Sequence, residues 1–177
     1  KVVKISDQSP KIIIPDSYFK DFVIAQGEPY GRMYGKGWQR DSQGRVLIGS
    51  DGLPLITPGR SVLLSNFNPD WIGGMQNSFR YKNFSLSFVI DTRQGGSMVS
   101  QSNAIVDGLG LSQRTLVGRS GDLIFGKNIF GNETAVLADG TPNNIAITAE
   151  KFWMAVGGRN APIAEPFVIS ATNTRLR

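Results

Sequence analysis

The side chains that could carry out chemistry in this chain are carboxylates, hydroxyls and amines, because it contains no histidine and no cysteine. Zinc sites of the Cys/His type and Ser-His-Asp or Cys-His relays are therefore excluded. A glycosidase would need two carboxylates about 5–10 Å apart. Asp41, Asp51 and Asp139 each precede a glycine within three residues, which is typical of turns. We therefore predict no catalytic residue, no metal and no cofactor, and we do not expect an enzyme.

Four aromatic residues are the candidates for ligand binding. They are Tyr30, Tyr34, Trp38 and Trp153. In exposed loops their faces would stack on sugar rings or contact a partner; in packed loops they would hold the loops together. The pattern leaves both open. Basic residues exceed acidic ones by five, but they are spread singly, so we do not predict nucleic-acid binding.

These residues lie in a chain whose composition favours a mainly β fold with many turns, since 21 of its 177 residues are glycine. We divide it into a first loop region with short strands (1–70), an amphipathic hairpin (71–91), a second loop region with short helices (92–165) and the start of a further strand (166–177). In the second loop region, Thr148 is a helix N-cap that predicts a helix over Ala149–Val156.

The hairpin has the most informative pattern. A two-residue turn at Lys82-Asn83 sorts both strands into two faces, and we expect Asn83 to accept the left-handed conformation that such turns need. Arg80 falls on a polar face with small serine residues. The opposite face collects Phe79, Tyr81, Phe84, Leu86, Phe88 and Ile90.

Such a hairpin has two interpretations. In a soluble sandwich the apolar face lies in the core and the polar face lies in water. In a transmembrane β-barrel the six apolar residues face lipid and Arg80 faces the lumen. Each predicted strand has about eight residues, slightly fewer than the ~9–11 of a tilted spanning strand.

Several segments resemble one family in the right order along the chain. They are Asn66-Phe67-Asn68-Pro69-Asp70-Trp71-Ile72-Gly73-Gly74, Asn77–Ser87, Gly95-Gly96, Thr115-Leu116-Val117-Gly118-Arg119, Asp139-Gly140-Thr141-Pro142-Asn143 and Ala171–Arg177. Together these segments resemble the late barrel strands of SusC/RagA-type TonB-linked outer-membrane transporters.

The resemblance implies a C-terminal barrel segment of a nutrient importer in the outer membrane. The family has a barrel of about 22 strands and takes up glycans or peptides with a SusD-like surface lipoprotein and TonB. This chain is then expected to be an excised piece, with a hairpin, external loops and parts of flanking strands. The alternative is a free-standing secreted β-rich carbohydrate-binding module, with Phe79, Leu86 and Phe88 buried in its own core.

Overall fold

The computed structural model describes residues 1–5, 10–15 and 20–177, and within them the fold is mainly β with two short α-helices. The strands are β1 (Lys11–Pro15), β2 (Lys20–Ala25), β3 (Arg32–Gly35), β4 (Val46–Leu47), β5 (Val62–Asn66), β6 (Trp71–Tyr81), β7 (Phe84–Gln94), β8 (Ser97–Val99), β9 (Ala135–Val136), β10 (Val168–Ser170) and β11 (Asn173–Leu176). The helices are α1 (Gln101–Gly108) and α2 (Ala149–Val156), with 3-10 turns at Gln113–Leu116 and Glu165–Phe167. The predicted mainly β, antiparallel class is confirmed.

The hairpin β6–β7 has the register that the pattern predicts. Tyr81 pairs with Phe84, Phe79 with Leu86, and Met75 with Ile90 across the two strands. Each strand has 11 residues, so the predicted length of about eight was too short. The left-handed φ in the turn, 52°, falls on Lys82, so its predicted position at Asn83 was wrong.

Strand β11 adds to the hairpin on the side of β7. Its four residues pair antiparallel with the second half of β7, from Asn173 opposite Arg93 to Leu176 opposite Ile90. The resulting sheet has the order β11-β7-β6 and is open, and no closed barrel is present among the described strands.

A second antiparallel sheet, of order β1-β2-β3-β5, forms the N-terminal part of the fold. The first predicted region, 1–70, also contains residues 6–9 and 16–19, which lie outside the described residues. Only four residues, 67–70, separate β5 from β6, so this sheet is joined directly to the start of the hairpin.

The two predicted loop regions share one hydrophobic core. Trp38, Val46 and Ile48 from the first region pack with residues of the second, including Phe125 and Phe152. Strands β4 and β9 pair in parallel and join the two regions through their backbones. We call residues 37–57 and 99–168, which surround this core, the loop unit.

The loop unit is attached at the end of the hairpin opposite its tight turn. Strand β6 starts and strand β7 ends at that end, and β11 pairs with the adjacent residues of β7. The predicted helix over Ala149–Val156 is confirmed, and Thr148 Oγ1 accepts a hydrogen bond from Lys151 N at 3.1 Å. Among the described residues, no helix is long and apolar enough to span a membrane.

Candidate functional site

The apolar face of the hairpin is its most unusual surface. We call Phe79, Tyr81, Phe84, Leu86, Phe88 and Ile90 the apolar strip. Period-2 alternation and the observed register place all six on one face. Tyr81 is 72% exposed and Phe84 66%, and only Phe88 and Ile90 are partly buried. A contiguous exposed apolar surface of this kind marks a membrane or protein contact in a folded protein.

Two further features lengthen the strip and define its opposite side. Trp71 lies on the same face and is 55% exposed, and its indole lies over Gly73, where an added Cβ would be 2.8 Å from the ring. Arg80 is exposed on the opposite face, where it pairs with Ser85. Arg80 therefore lies on the face away from the aromatic side chains of the strip.

Of the two arrangements left open for Trp38 and Trp153, the structure has the packed one. Trp38 is 3% exposed and Trp153 is 2% exposed, because both rings belong to the core of the loop unit. Trp38 meets Phe125 edge-on at 5.2 Å between ring centroids, and Trp153 meets Phe152 edge-on at 5.0 Å. Both indoles therefore serve as packing residues of long loops that need a core of their own.

Tyr30 and Tyr34 lie elsewhere, near the four-stranded sheet. Tyr30 is half exposed, and its ring packs at 5.4 Å from Phe22 and 5.9 Å from Phe67. Tyr34 is half buried, and the ammonium of Lys11 lies 5.9 Å from its ring centroid. The four predicted ligand-binding aromatics therefore do not form one site.

A network of charges joins the two halves of the loop unit. Arg40 donates to both carboxylate oxygens of Glu133, at 2.6 and 3.1 Å, and to Glu165 at 2.7 Å. Glu165 also accepts a hydrogen bond from the backbone N–H of Trp38 at 2.6 Å. Hydrogen bonds to Glu133, opposed by burial and assisted by Glu165, raise the pKa of Arg40 above its usual value. The three charged groups are paired with one another, as is typical of charges that hold a fold together.

The other carboxylates with strong partners are also structural. Asp107 is buried and accepts hydrogen bonds from Arg114, whose guanidinium lies 4.8 Å from the ring of Trp153. Asp139 accepts from the side chain and the backbone of Thr141, and these bonds lower the pKa of Asp139. For Asp41, burial raises the pKa, but hydrogen bonds led by the backbone N–H of Arg45 outweigh it and lower the pKa overall. In the described part of the chain no three acidic residues form a group that could hold a metal ion.

A cleft of about 600 Å³ opens on the loop unit between the end of α1 and the start of α2. Leu109, Thr115 and Arg119 line one side, and Glu150, Trp153 and Met154 line the other. The two helices meet through glycine: an added Cβ on Gly108 would lie 2.6 Å from the Cα of Gly158. No spacing in the sequence indicated this cleft, because its walls come from segments about forty residues apart.

No protein-family model matches the chain, and no curated protein was found to match it. What the chain does is therefore inferred from its sequence motifs and from the geometry of the apolar strip and the loop unit.

Proposed function

We propose that this chain is a segment of a SusC/RagA-type, TonB-dependent importer of the outer membrane, and that its hairpin forms part of the transmembrane barrel. The observation that carries the proposal is the apolar strip: six side chains aligned on one face of a hairpin whose other face is polar. An aromatic strip exposed to water would promote association, whereas lipid would cover it.

The dimensions of the hairpin support this role. Strands of 11 residues match the ~9–11 that a tilted strand needs to cross the hydrocarbon core. Tyr81 and Phe84 flank the tight turn, where barrel proteins place aromatic residues at the membrane interface. Arg80 on the opposite face then lines the lumen, which is polar in such barrels.

The unequal size of the connections at the two ends of the hairpin supports an orientation of the hairpin in the membrane. Barrels of the outer membrane have short periplasmic turns and long external loops. Here the turn at one end has two residues, and the loop unit lies at the other end. The loop unit is then external, where it would contact substrate and the SusD-like lipoprotein. TonB and the uptake of glycans or peptides enter the proposal through the family resemblance.

The alternative, a free-standing carbohydrate-binding module, has less support. It requires Phe79 and Leu86 to be buried in the module's own core, but they are 54% and 49% exposed. It also expects exposed aromatic platforms, and two of the four candidate rings are buried in the loop unit.

Site-directed spin labelling tests the lipid-facing assignment. The chain has no cysteine, so single cysteines can be placed at Phe84, Leu86 and Phe88, with Ser85 and Ser87 as matched controls on the other face. After reconstitution into phospholipid vesicles, we expect labels at the three apolar positions to be more accessible to oxygen. Labels at the serine positions are expected to be more accessible to a water-soluble nickel complex.

The accessibility should therefore alternate with a period of two residues. A uniform profile along residues 84–88 would contradict the proposal. A profile in which the apolar positions are shielded from both reagents would support the soluble module instead.

A further inference from the structure

The cleft between α1 and α2 has the size and composition of a ligand site. Its volume of about 600 Å³ lies within the ~300–1,000 Å³ of small-molecule pockets. Such pockets have a mostly apolar lining with a few polar groups that orient the ligand. This cleft has apolar side chains from Leu109, which follows α1, and from Trp153 and Met154 in α2, together with two charged residues of opposite sign.

The positive charge is held in place by the backbone. Arg119 donates from Nε to the carbonyl of Thr115 at 3.3 Å and from Nη2 to the carbonyl of Gly110 at 2.8 Å. Its guanidinium has no carboxylate partner in the part of the chain that the structure describes. Because two carbonyls already fix its orientation, a bound carboxylate would meet a preorganised cation.

The negative charge lies on the other wall. Glu150 is exposed in the first turn of α2, and within the described residues its carboxylate forms no ion pair. Most other carboxylates around the loop unit, among them Glu133, Glu165 and Asp107, are held by arginine. Two unpaired charges of opposite sign on one cleft favour a ligand that carries both.

The apolar lining selects against a neutral sugar. Leu109 and Met154 are 66% and 69% exposed, whereas Trp153 is too deeply buried to present its ring face. Sugars stack on exposed aromatic faces, and this cleft offers none. Aliphatic side chains such as leucine would instead be covered by Leu109 and Met154.

We propose that this cleft binds a short peptide with free termini and an aliphatic side chain. Its α-carboxylate pairs with Arg119, its α-ammonium pairs with Glu150, and its side chain lies against Leu109 and Met154. The inference deepens the proposed function by choosing peptide over glycan as the cargo class, and it depends on that function only for the role of the peptide as cargo.

Isothermal titration of the chain in detergent with the tripeptide Ala-Leu-Ala tests the proposal. We expect saturable binding, and we expect R119Q and E150Q each to weaken it about tenfold, the loss of one charge-assisted contact. The wild-type chain should bind the same peptide, acetylated and amidated at its ends, more weakly than either variant binds the free peptide. Matched controls are R159Q and D122N, exposed charges outside the cleft lining, which should bind as the wild type does.

Several outcomes would overturn the inference. They are no peptide binding, equal binding of the free and blocked peptides, or wild-type affinity in E150Q, a variant that removes no internal polar contact. Binding of maltotriose that depends on the same two residues would assign the cleft to glycans instead. The spin-label profile of the hairpin does not involve the cleft, so a failure here leaves the barrel proposal standing and is distinguishable from its failure.

Discussion

At the scale of single residues, glycine decides where the loop unit can pack tightly. Gly118 has a φ of 77°, and an added Cβ would lie 2.8 Å from the Cα of Leu123, which is fully buried. Gly121 has a similar φ of 89°, but an added Cβ would meet only Thr148 Cγ2, at 4.0 Å. The two positions share the backbone strain and differ in the space around them.

This pair yields a prediction with its own control. We expect G118A to lower the free energy of unfolding by about 3 kcal/mol or more, since strain and overlap with the backbone add. G121A should lower it by about 1–2 kcal/mol, the cost of the left-handed conformation alone. Urea denaturation in detergent measures the free energy of unfolding of both variants. Equal losses would contradict the prediction, because they would show that overlap with Leu123 adds nothing to the cost of the left-handed conformation.

At the scale of elements, the turn of the hairpin has a strained residue in an unexpected place. Lys82 holds the positive φ of 52°, while Asn83, the residue better suited to it, does not. Tyr81 and Phe84 immediately flank the turn and form the first cross-strand pair. The aromatic pair therefore closes the hairpin despite the cost at Lys82.

Glycine substitution at the two turn positions measures that cost. K82G removes the strain but increases the entropy of the unfolded chain, whereas N83G only increases that entropy. We expect K82G to be more stable than N83G by about 1 kcal/mol. Amide hydrogen exchange of β6 and β7 reports the difference, and slower exchange in N83G than in K82G would place the left-handed residue at Asn83 after all.

At the scale of the whole molecule, Arg40 connects segments that are far apart in the sequence. It joins the first loop region to Glu133 and Glu165 in the second. Arg45 and Asp41 form a pair of similar exposure, but they are four residues apart within one turn. The first interaction constrains the tertiary structure, while the second constrains only a local loop.

Hydrogen exchange of R40Q and R45Q should separate these roles. Partly exposed ion pairs contribute about 1 kcal/mol or less each, so we expect exchange in R40Q to rise severalfold. The rise should occur in both 37–57 and 133–165, because local opening on either side is coupled through the network. R45Q should accelerate exchange only near residues 41–46. An effect of R40Q confined to the neighbours of residue 40 would contradict the coupling.

The hairpin could be predicted from the sequence because its information is local. Alternation with a period of two and a two-residue turn define the register over residues 75–90, and the structure has the same pairs. The N-cap at Thr148 and the helix Ala149–Val156 were predictable for the same reason, since a cap and its helix are adjacent in the chain. The outer-membrane role stays a prediction that the spin-label experiment addresses.

The core of the loop unit and its cleft depend on contacts that no local pattern contains. Trp38 is buried by Phe125, a residue nearly ninety positions away. The residues next to Trp38 in the sequence therefore could not reveal that its ring is covered. The cleft exists because Gly108 lets α1 approach Gly157-Gly158 at the end of α2, which brings Arg119 and Glu150 to the same opening. Burial and convergence of this kind are decided by packing between distant segments, and packing is a property of the folded chain rather than of any stretch of it.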